Sequence, residues 1–579
     1  MNIGPQQSSN KPNESARPTT NAAIGTPIDD SSETGSLRTG AADHQYVSGD
    51  HWAAILDSIA DLRDHFNREE QFRLVEGPGP VIGRMEDAAS VHGPTFLQDY
   101  EAFWANPLSA SIMWIGLLYS MVCLALIASD TNGSVPYMDT THYHVNIDSC
   151  REKVVQCLIM GKYTLGGRHT LETFMNYVYI EFRIREDAEK DVWYLLGIEV
   201  NLAKRMGYHR DPKHFPGIAP LEGEMRRRVW ATVLLGDSLI SGQMGMPRMI
   251  TSDQFDTEEP RNLNDTDLQG NISELPPPRP ETEHTTDLGI IARRRVLIAL
   301  GAVSDLTSSL KPSGYTEYMS LDEVLNDARA RIPPPLQPKS MASSVTDSPQ
   351  TIMARLFLSH IYYKGRIMLH RRFLFAESLS PDDDTFAYSR KACVNAALET
   401  LHIQQILDEE TRPGGGGQLH IMHWRVGSLM NHHSLTATMI LCSVVHRQRT
   451  AGRDEEITEA LRRSRAIWMS KSQHSMEAKK AAQAVSIVLA RAGGPRFDME
   501  LVSRSTEEMP MGPTSSHHKE DGGEIGMVWG DDAWLEEALH LGTDFSTIGA
   551  PYDQSNPGKI DASMRLDIGS FHEGANMAD

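Results

Sequence analysis

From about residue 95 to 310, and again from 351 to 492, apolar residues recur every three or four positions, and this feature most limits what the chain can fold into. Short β-branched runs bounded by turn residues, the mark of strands, are scarce. No fixed-period repeat is visible, which excludes a solenoid built from regular units. The pattern predicts an all-α protein, a large multi-helix body with disordered N- and C-terminal segments.

The boundaries follow from composition. Residues 1–49 are rich in Ser, Thr, Asn, Pro and Gly and bury too little apolar area to offset chain entropy, so they read as disordered. Residues 50–93 hold an amphipathic helix and a linker; Trp52, Ile55, Ile59, Leu62 and Phe66 form one narrow stripe, too short for a coiled coil. The main helical region spans 94–345, its C-terminal continuation 346–500, and an acidic-hydrophobic tail 501–579. Within the main region, residues 256–288 carry acids and prolines and read as an exposed loop. One uncharged stretch, 109–129, has membrane-spanning length, but no Lys or Arg flanks it to set orientation, and it reads as a buried core helix. A membrane anchor there is the competing reading.

The net charge of −22 removes any global attraction to phosphate, so nucleic-acid contact requires a local basic module. Five scattered cysteines, Cys123, Cys150, Cys157, Cys393 and Cys442, suit reduced thiols rather than a disulfide framework. Cys150 and Cys157 have no C-x2-C companion, and His420, His423, His432 and His433 have no ligand partner at metal spacing. A P-loop, a Rossmann glycine pattern, H-E-x-x-H and an EF-hand loop are all missing from the sequence. No metal or cofactor is expected.

The densest chemistry lies in residues 221–250, LEGEMRRRVWATVLLGDSLISGQMGMPRMI. At 100° per residue, Met225, Val229, Val233, Gly236 and Ile240 form one apolar stripe. Arg226, Arg227 and Arg228 fan over about 200° of the same wheel and cannot share a face, which argues against a basic patch. Spacing of four predicts ion pairs from Glu222 to Arg226 and from Glu224 to Arg228. Asp237 falls on the apolar side and is expected to need an arginine. The six form a structural charge network in this reading. The tetrapeptide GDSL, 236–239, matches a hydrolase signature by chance: Ser238 lies mid-chain on a helix, and both D-x-x-H matches, Asp139 to His142 and Asp211 to His214, precede it.

The tail holds MVWGDDAWLEEALHLGTDF, which interleaves Trp529, Trp534, Leu535, Leu539 and Phe545 with acids. That alternation marks segments that fold on a coactivator, and equally suits a short helix docking back on its own domain.

Two blocks, LLGIEVNLAKRMGYHRDP and EMRRRVWATVLLGDSLISGQMGMPRMI, together resemble the middle homology region of fungal-specific transcription factors of the zinc binuclear cluster family. The matching positions are Gly197, Ile198, Ala203, Met206, Gly207, His209, Arg210 and Asp211, then Glu224, Arg226, Arg227, Arg228, Trp230, Asp237, Leu239, Ser241, Gly245, Pro247 and Ile250. YYKGRIMLHRRFLF at 362–375 is similar to a later helix of that family. Met246 stands where the family often has Arg, and Arg372 where Pro is usual. The family's six-cysteine zinc cluster and its basic linker are not matched here.

The resemblance implies a nuclear transcriptional regulator, not an enzyme, controlling a metabolic or secondary-metabolite gene cluster. It implies DNA contact through a partner or a separate module, coactivators, homo- or heterodimerisation, and an unknown small-molecule effector. The alternative from a different class is an α-helical small-molecule-binding protein or enzyme without a DNA role.

Overall fold

A computed structural model describes residues 36–39, 44–47, 51–52, 91–129, 146–270, 272–376, 384–412 and 415–492. Thirteen α-helices occur among them, beside one antiparallel pair, β1 (Ser36–Thr39) and β2 (His44–Val47). The fold is all-α. The remainder of 1–49, the stripe residues Ile55, Ile59, Leu62 and Phe66, and the tail with Trp529, Trp534, Leu535, Leu539 and Phe545 lie outside the described residues.

The first half holds α1 (Gly93–Ala105), α2 (Ile112–Ser129), α3 (Ile147–Met160), α4 (Thr170–Arg183), α5 (Lys190–Arg205) and α6 (Pro220–Gln243). Each packs largely on its sequence neighbour: α2 on α3 and α4, α4 on α5, α5 on α6. The middle consists of α7 (Leu288–Thr307), α8 (Tyr315–Ala330) and α9 (Pro349–His370). Here α7 takes the stack from α6 and passes it to α8 and α9. The last group is α10 (Ala387–Thr411), α11 (Ser428–His446), α12 (Asp454–Lys471) and α13 (Met476–Ala492), with α9 against α10. Two buried tryptophans mark the cores, Trp230 in the first half and Trp468 in the last group.

Local chemistry sets the helix ends. Asn146 accepts the Ser149 N–H at 2.6 Å and starts α3. Gly207 adopts φ +77° after α5, and the Tyr208 N–H reaches the Ala203 carbonyl at 3.0 Å, closing a Schellman turn. Gly245 does the same after α6, at φ +64°, with Met246 N–H bonded to the Ser241 carbonyl. These left-handed positions turn the chain back sharply at both motif blocks. Asp187, between α4 and α5, accepts the Met476 N–H at 2.8 Å and so caps α13 from the other end of the sequence.

The uncharged stretch 109–129 forms α2, whose Leu117, Cys123 and Leu126 are buried. Its Ser120, fully buried, donates to the Leu117 carbonyl and accepts from Asn176 of α4 at 2.9 Å, so even its polar group is spent inside the bundle. No helix among the described residues is long and apolar enough to cross a membrane. Trp52 is buried in the core of the last helical group, and the neighbouring His51 ring bonds the Gln243 carbonyl at 2.9 Å.

Candidate functional site

The site forms around α6. Pro220 opens the helix, where its missing N–H costs nothing, and Glu222 occupies the first turn, where the helix dipole favours an acid. The three arginines then leave α6 in different directions. Their side chains are 19%, 11% and 2% exposed for Arg226, Arg227 and Arg228. No open basic face exists on this helix.

Arg226 pairs with Glu222 at 3.3 Å, stacks over Tyr208 at 4.6 Å, and donates to the Met206 carbonyl. It therefore clamps the turn after α5 onto α6. Arg227 makes a two-pronged bond to Asp211 at 2.9 and 3.0 Å. Asp211 also accepts the backbone N–H groups of Lys213 and Glu258. Burial pushes its carboxyl up, but the Arg227 fork and the two N–H bonds outweigh that and hold it near 2.

The Glu224–Arg228 pair expected from spacing is not formed. Arg228 instead meets Asp265 and Asp287, each at 2.6 Å, and Asp287 is 1% exposed. Glu224 turns to the Arg261 N–H at 2.7 Å and lies 3.7 Å from Arg227; burial raises its carboxyl. Both departures have one cause. The loop 256–288 does not run freely over the surface but folds onto α6 and supplies counter-charges from 37 and 59 residues downstream. Leu263, Leu268 and Thr285 of this loop are buried, while the ELPPPRPETEH part stays outside. Asp265 additionally accepts the Gly93 N–H, tying α1 to the same node.

Asp237 corrects a second expectation. It has no arginine partner within ion-pair distance among the described residues. Its carboxylate accepts the Met249 and Ile250 backbone N–H groups, both at 2.9 Å, and the Ser241 hydroxyl at 3.2 Å. Burial raises it and these bonds oppose the shift. The nearby Arg248 goes to Asp305 of α7 instead. We expect Asp237→Ala to leave two buried N–H groups unpaired and to cost about 2–4 kcal/mol in urea unfolding. A loss below about 1 kcal/mol would show that water replaces the carboxylate.

Nothing here resembles a nucleophile. Ser238 is buried inside α6 and bonds no histidine among the described residues. The five cysteines are free and buried, and burial pushes the Cys123 thiol up to about 12. His432 and His433 are buried on α11, where desolvation lowers both well below the ordinary imidazole value. No cluster of His, Cys, Asp and Glu suited to a metal occurs among the described residues.

Beyond the arginines, the C-terminal half of α6 lines a cavity of about 280 Å³, closed on other sides by α2, α4, α5, α7, α9, the turn at Trp424 and Arg425, and the start of α11. Glu199 of α5 and Arg293 of α7 face it, and neither stood out in the sequence. Gly236 faces this corner: a Cβ there would make ordinary contact with Leu196 at 3.4 Å and with the Glu199 carboxylate at 3.8 Å.

Comparison with known proteins places this geometry. The fungal specific transcription factor domain matches residues 89–323, which include α1 to α7, the arginine node and most of the cavity wall. The fusarisetin A cluster transcription factor of Fusarium sp. (strain FN080326) is 36% identical, covering 85% of this chain and 72% of its own length. The equisetin cluster transcription factor of Fusarium heterosporum is also 36% identical, with coverage of 84% and 77%. A Zn(2)-C6 fungal-type transcription factor of Macrophomina phaseolina shows the same identity over 77% and 67%. No solved structure matches. With such likeness running through both motif blocks and far beyond them, the chain belongs to the fungal-specific transcription factors.

Proposed function

We propose that this protein works in the nucleus and controls transcription of a biosynthetic gene cluster. The observation that carries the reading is the 36% identity, over most of both chains, to regulators of the fusarisetin A and equisetin clusters. The buried arginine node supports it from the physical side. With its guanidiniums neutralised internally, α6 has no face for phosphate, so the helical body acts as a regulatory platform and DNA contact belongs to a partner subunit or another module. We assign no metal or cofactor to the residues present. The segment with Trp529, Trp534, Leu535, Leu539 and Phe545 has the composition of a coactivator-docking tail.

Deleting the gene and measuring transcripts of its chromosomal neighbours tests the proposal. The expected result is a fall of at least about tenfold across a contiguous set of biosynthetic genes, equivalent to about 1.4 kcal/mol of lost recruitment. Unchanged transcripts under conditions where the neighbours are expressed would overturn it.

A further inference from the structure

The cavity beside α6 has a chemistry that a plain packing defect lacks. Most of its wall is apolar, from residues such as Leu235, Leu239, Ile290 and Phe357, and an apolar void of this size has no reason to carry charge. Yet three guanidiniums line it, those of Arg183, Arg293 and Arg425. Arg293 makes no ion pair or side-chain hydrogen bond among the described residues. Arg183 likewise pairs with no acid; its guanidinium lies 6.0 Å from the Trp424 ring, and its Nε has no hydrogen-bond partner. A Cβ at Gly427 would collide with the Arg183 guanidinium, so a glycine leaves the room it occupies.

Elsewhere in the fold, several buried arginines are matched by acids, while Arg294 donates to the Thr257 carbonyl. Arg227, Arg228 and Arg248 each meet a carboxylate within 3.0 Å. The carboxyl that does line the cavity, Glu199, is 4% exposed and forms no hydrogen bond among the described residues. Burial first, and Asp237 second, raise it to about 8, so at neutral pH it stands as a neutral donor rather than a counter-ion. The cavity therefore presents three guanidiniums, of which Arg183 and Arg293 meet no acid among the described residues, one neutral acid and an apolar wall. Tyr179, 38% exposed and also in the lining, marks where the cavity reaches the surface.

We propose that this cavity is a binding site for a small apolar organic acid, whose anionic head pairs with Arg293 and Arg183 and whose hydrocarbon body fills the space between α6, α7 and α9. The volume equals roughly nine liquid waters, enough for a ligand of about a dozen non-hydrogen atoms. Binding would supply the counter-charge that the fold omits and join the first helical group to the middle one. The proposal concerns binding by the purified chain and stands independently of which genes the protein controls.

Decanoate and decan-1-ol make a suitable probe pair, alike in body and different in head. Calorimetric titration of the full chain at pH 7 should give saturable decanoate binding with a Kd on the order of 100 μM, the range that twelve non-hydrogen atoms sustain. Decan-1-ol should bind at least about tenfold more weakly. The double variant Arg183→Met/Arg293→Met should bind both alike. Ala354→Phe, which fills the cavity from α9, should bind neither while keeping the wild-type helical spectrum, so the proposal remains testable if the double variant fails to fold. Equal binding of acid and alcohol by the wild type, no binding of either, or undiminished binding by Ala354→Phe would overturn the assignment.

Discussion

Arg228→Met is expected to lower the unfolding free energy by about 3–5 kcal/mol, the usual cost of stranding a buried charge. The guanidinium sits 2.6 Å from both Asp265 and Asp287, and its side chain and that of Asp287 are 2% and 1% exposed. Removing it leaves Asp265 and the buried Asp287 without their cation beside Glu224; burial already raises Asp287 to about 8, and Arg228 is the neighbour that opposes this. The matched control is Arg210→Ala. Its partner Asp256 is 40% exposed and Arg210 itself 51%, so screening by water limits the loss to less than about 1 kcal/mol. Urea unfolding followed by circular dichroism separates the two. Adding Asp287→Leu to the Arg228→Met variant should recover part of the loss, because an apolar side chain removes the buried carboxyl that has lost its partner. Equal costs for the Arg228 and Arg210 variants would mean the node is open to solvent and its arginines are available for other partners.

The second large effect is a pH dependence. Glu199 holds its proton to about pH 8 in the folded chain, against an ordinary carboxyl near 4.5 once unfolded. A raised carboxyl stabilises the fold fully below 4.5, progressively less as pH rises, and not at all above 8. Gln cannot titrate. The stability of Glu199→Gln relative to wild type is therefore expected to climb by about 3 kcal/mol between pH 5 and pH 8, at up to about 1.4 kcal/mol per unit. The groups lining or facing the same space are Asp237 from α6, which reinforces the shift, Arg183 and Arg293 from α4 and α7, and Arg425 before α11. Parallel stability profiles for the two proteins would show that the guanidiniums reach Glu199 and ionise it.

Much of the fold was legible because it is local. The three-four apolar spacing of residues 192–240 maps onto α5 and α6, and the Gly207 stop needs only a residue tolerant of positive φ. Arg226 to Glu222 is likewise one helical turn and could be read directly. The node's remaining contacts were not legible, for a physical reason. Spacing reports which partners share a helix face, whereas Arg228 chose carboxylates from a loop that the sequence marks only as acidic and proline-rich. Asp237 looked like a group in need of a cation because its real partners, two backbone N–H groups after a sharp turn, carry no residue signature. Glu199 and Arg293 were invisible for the same reason: a cavity exists only where several helices meet.

These pieces have one functional consequence. The motif arginines brace the stack α5–α6–α7 and join it to α1, so a change at the cavity between these helices has a stiff frame through which to act on the rest of the body. A ligand shifts such a body only by its differential affinity for two arrangements, which makes the cavity's unmatched charge the natural lever.

Tethering the full chain to a heterologous DNA-binding domain and reading a reporter gene tests the central claim most directly. Reporter output should rise at least about tenfold over the DNA-binding domain alone, a recruitment gain of about 1.4 kcal/mol, and should fall when residues 520–579 are removed. A stably expressed, nuclear fusion that leaves the reporter at the level of the bare DNA-binding domain would contradict the account of this chain as a transcriptional regulator.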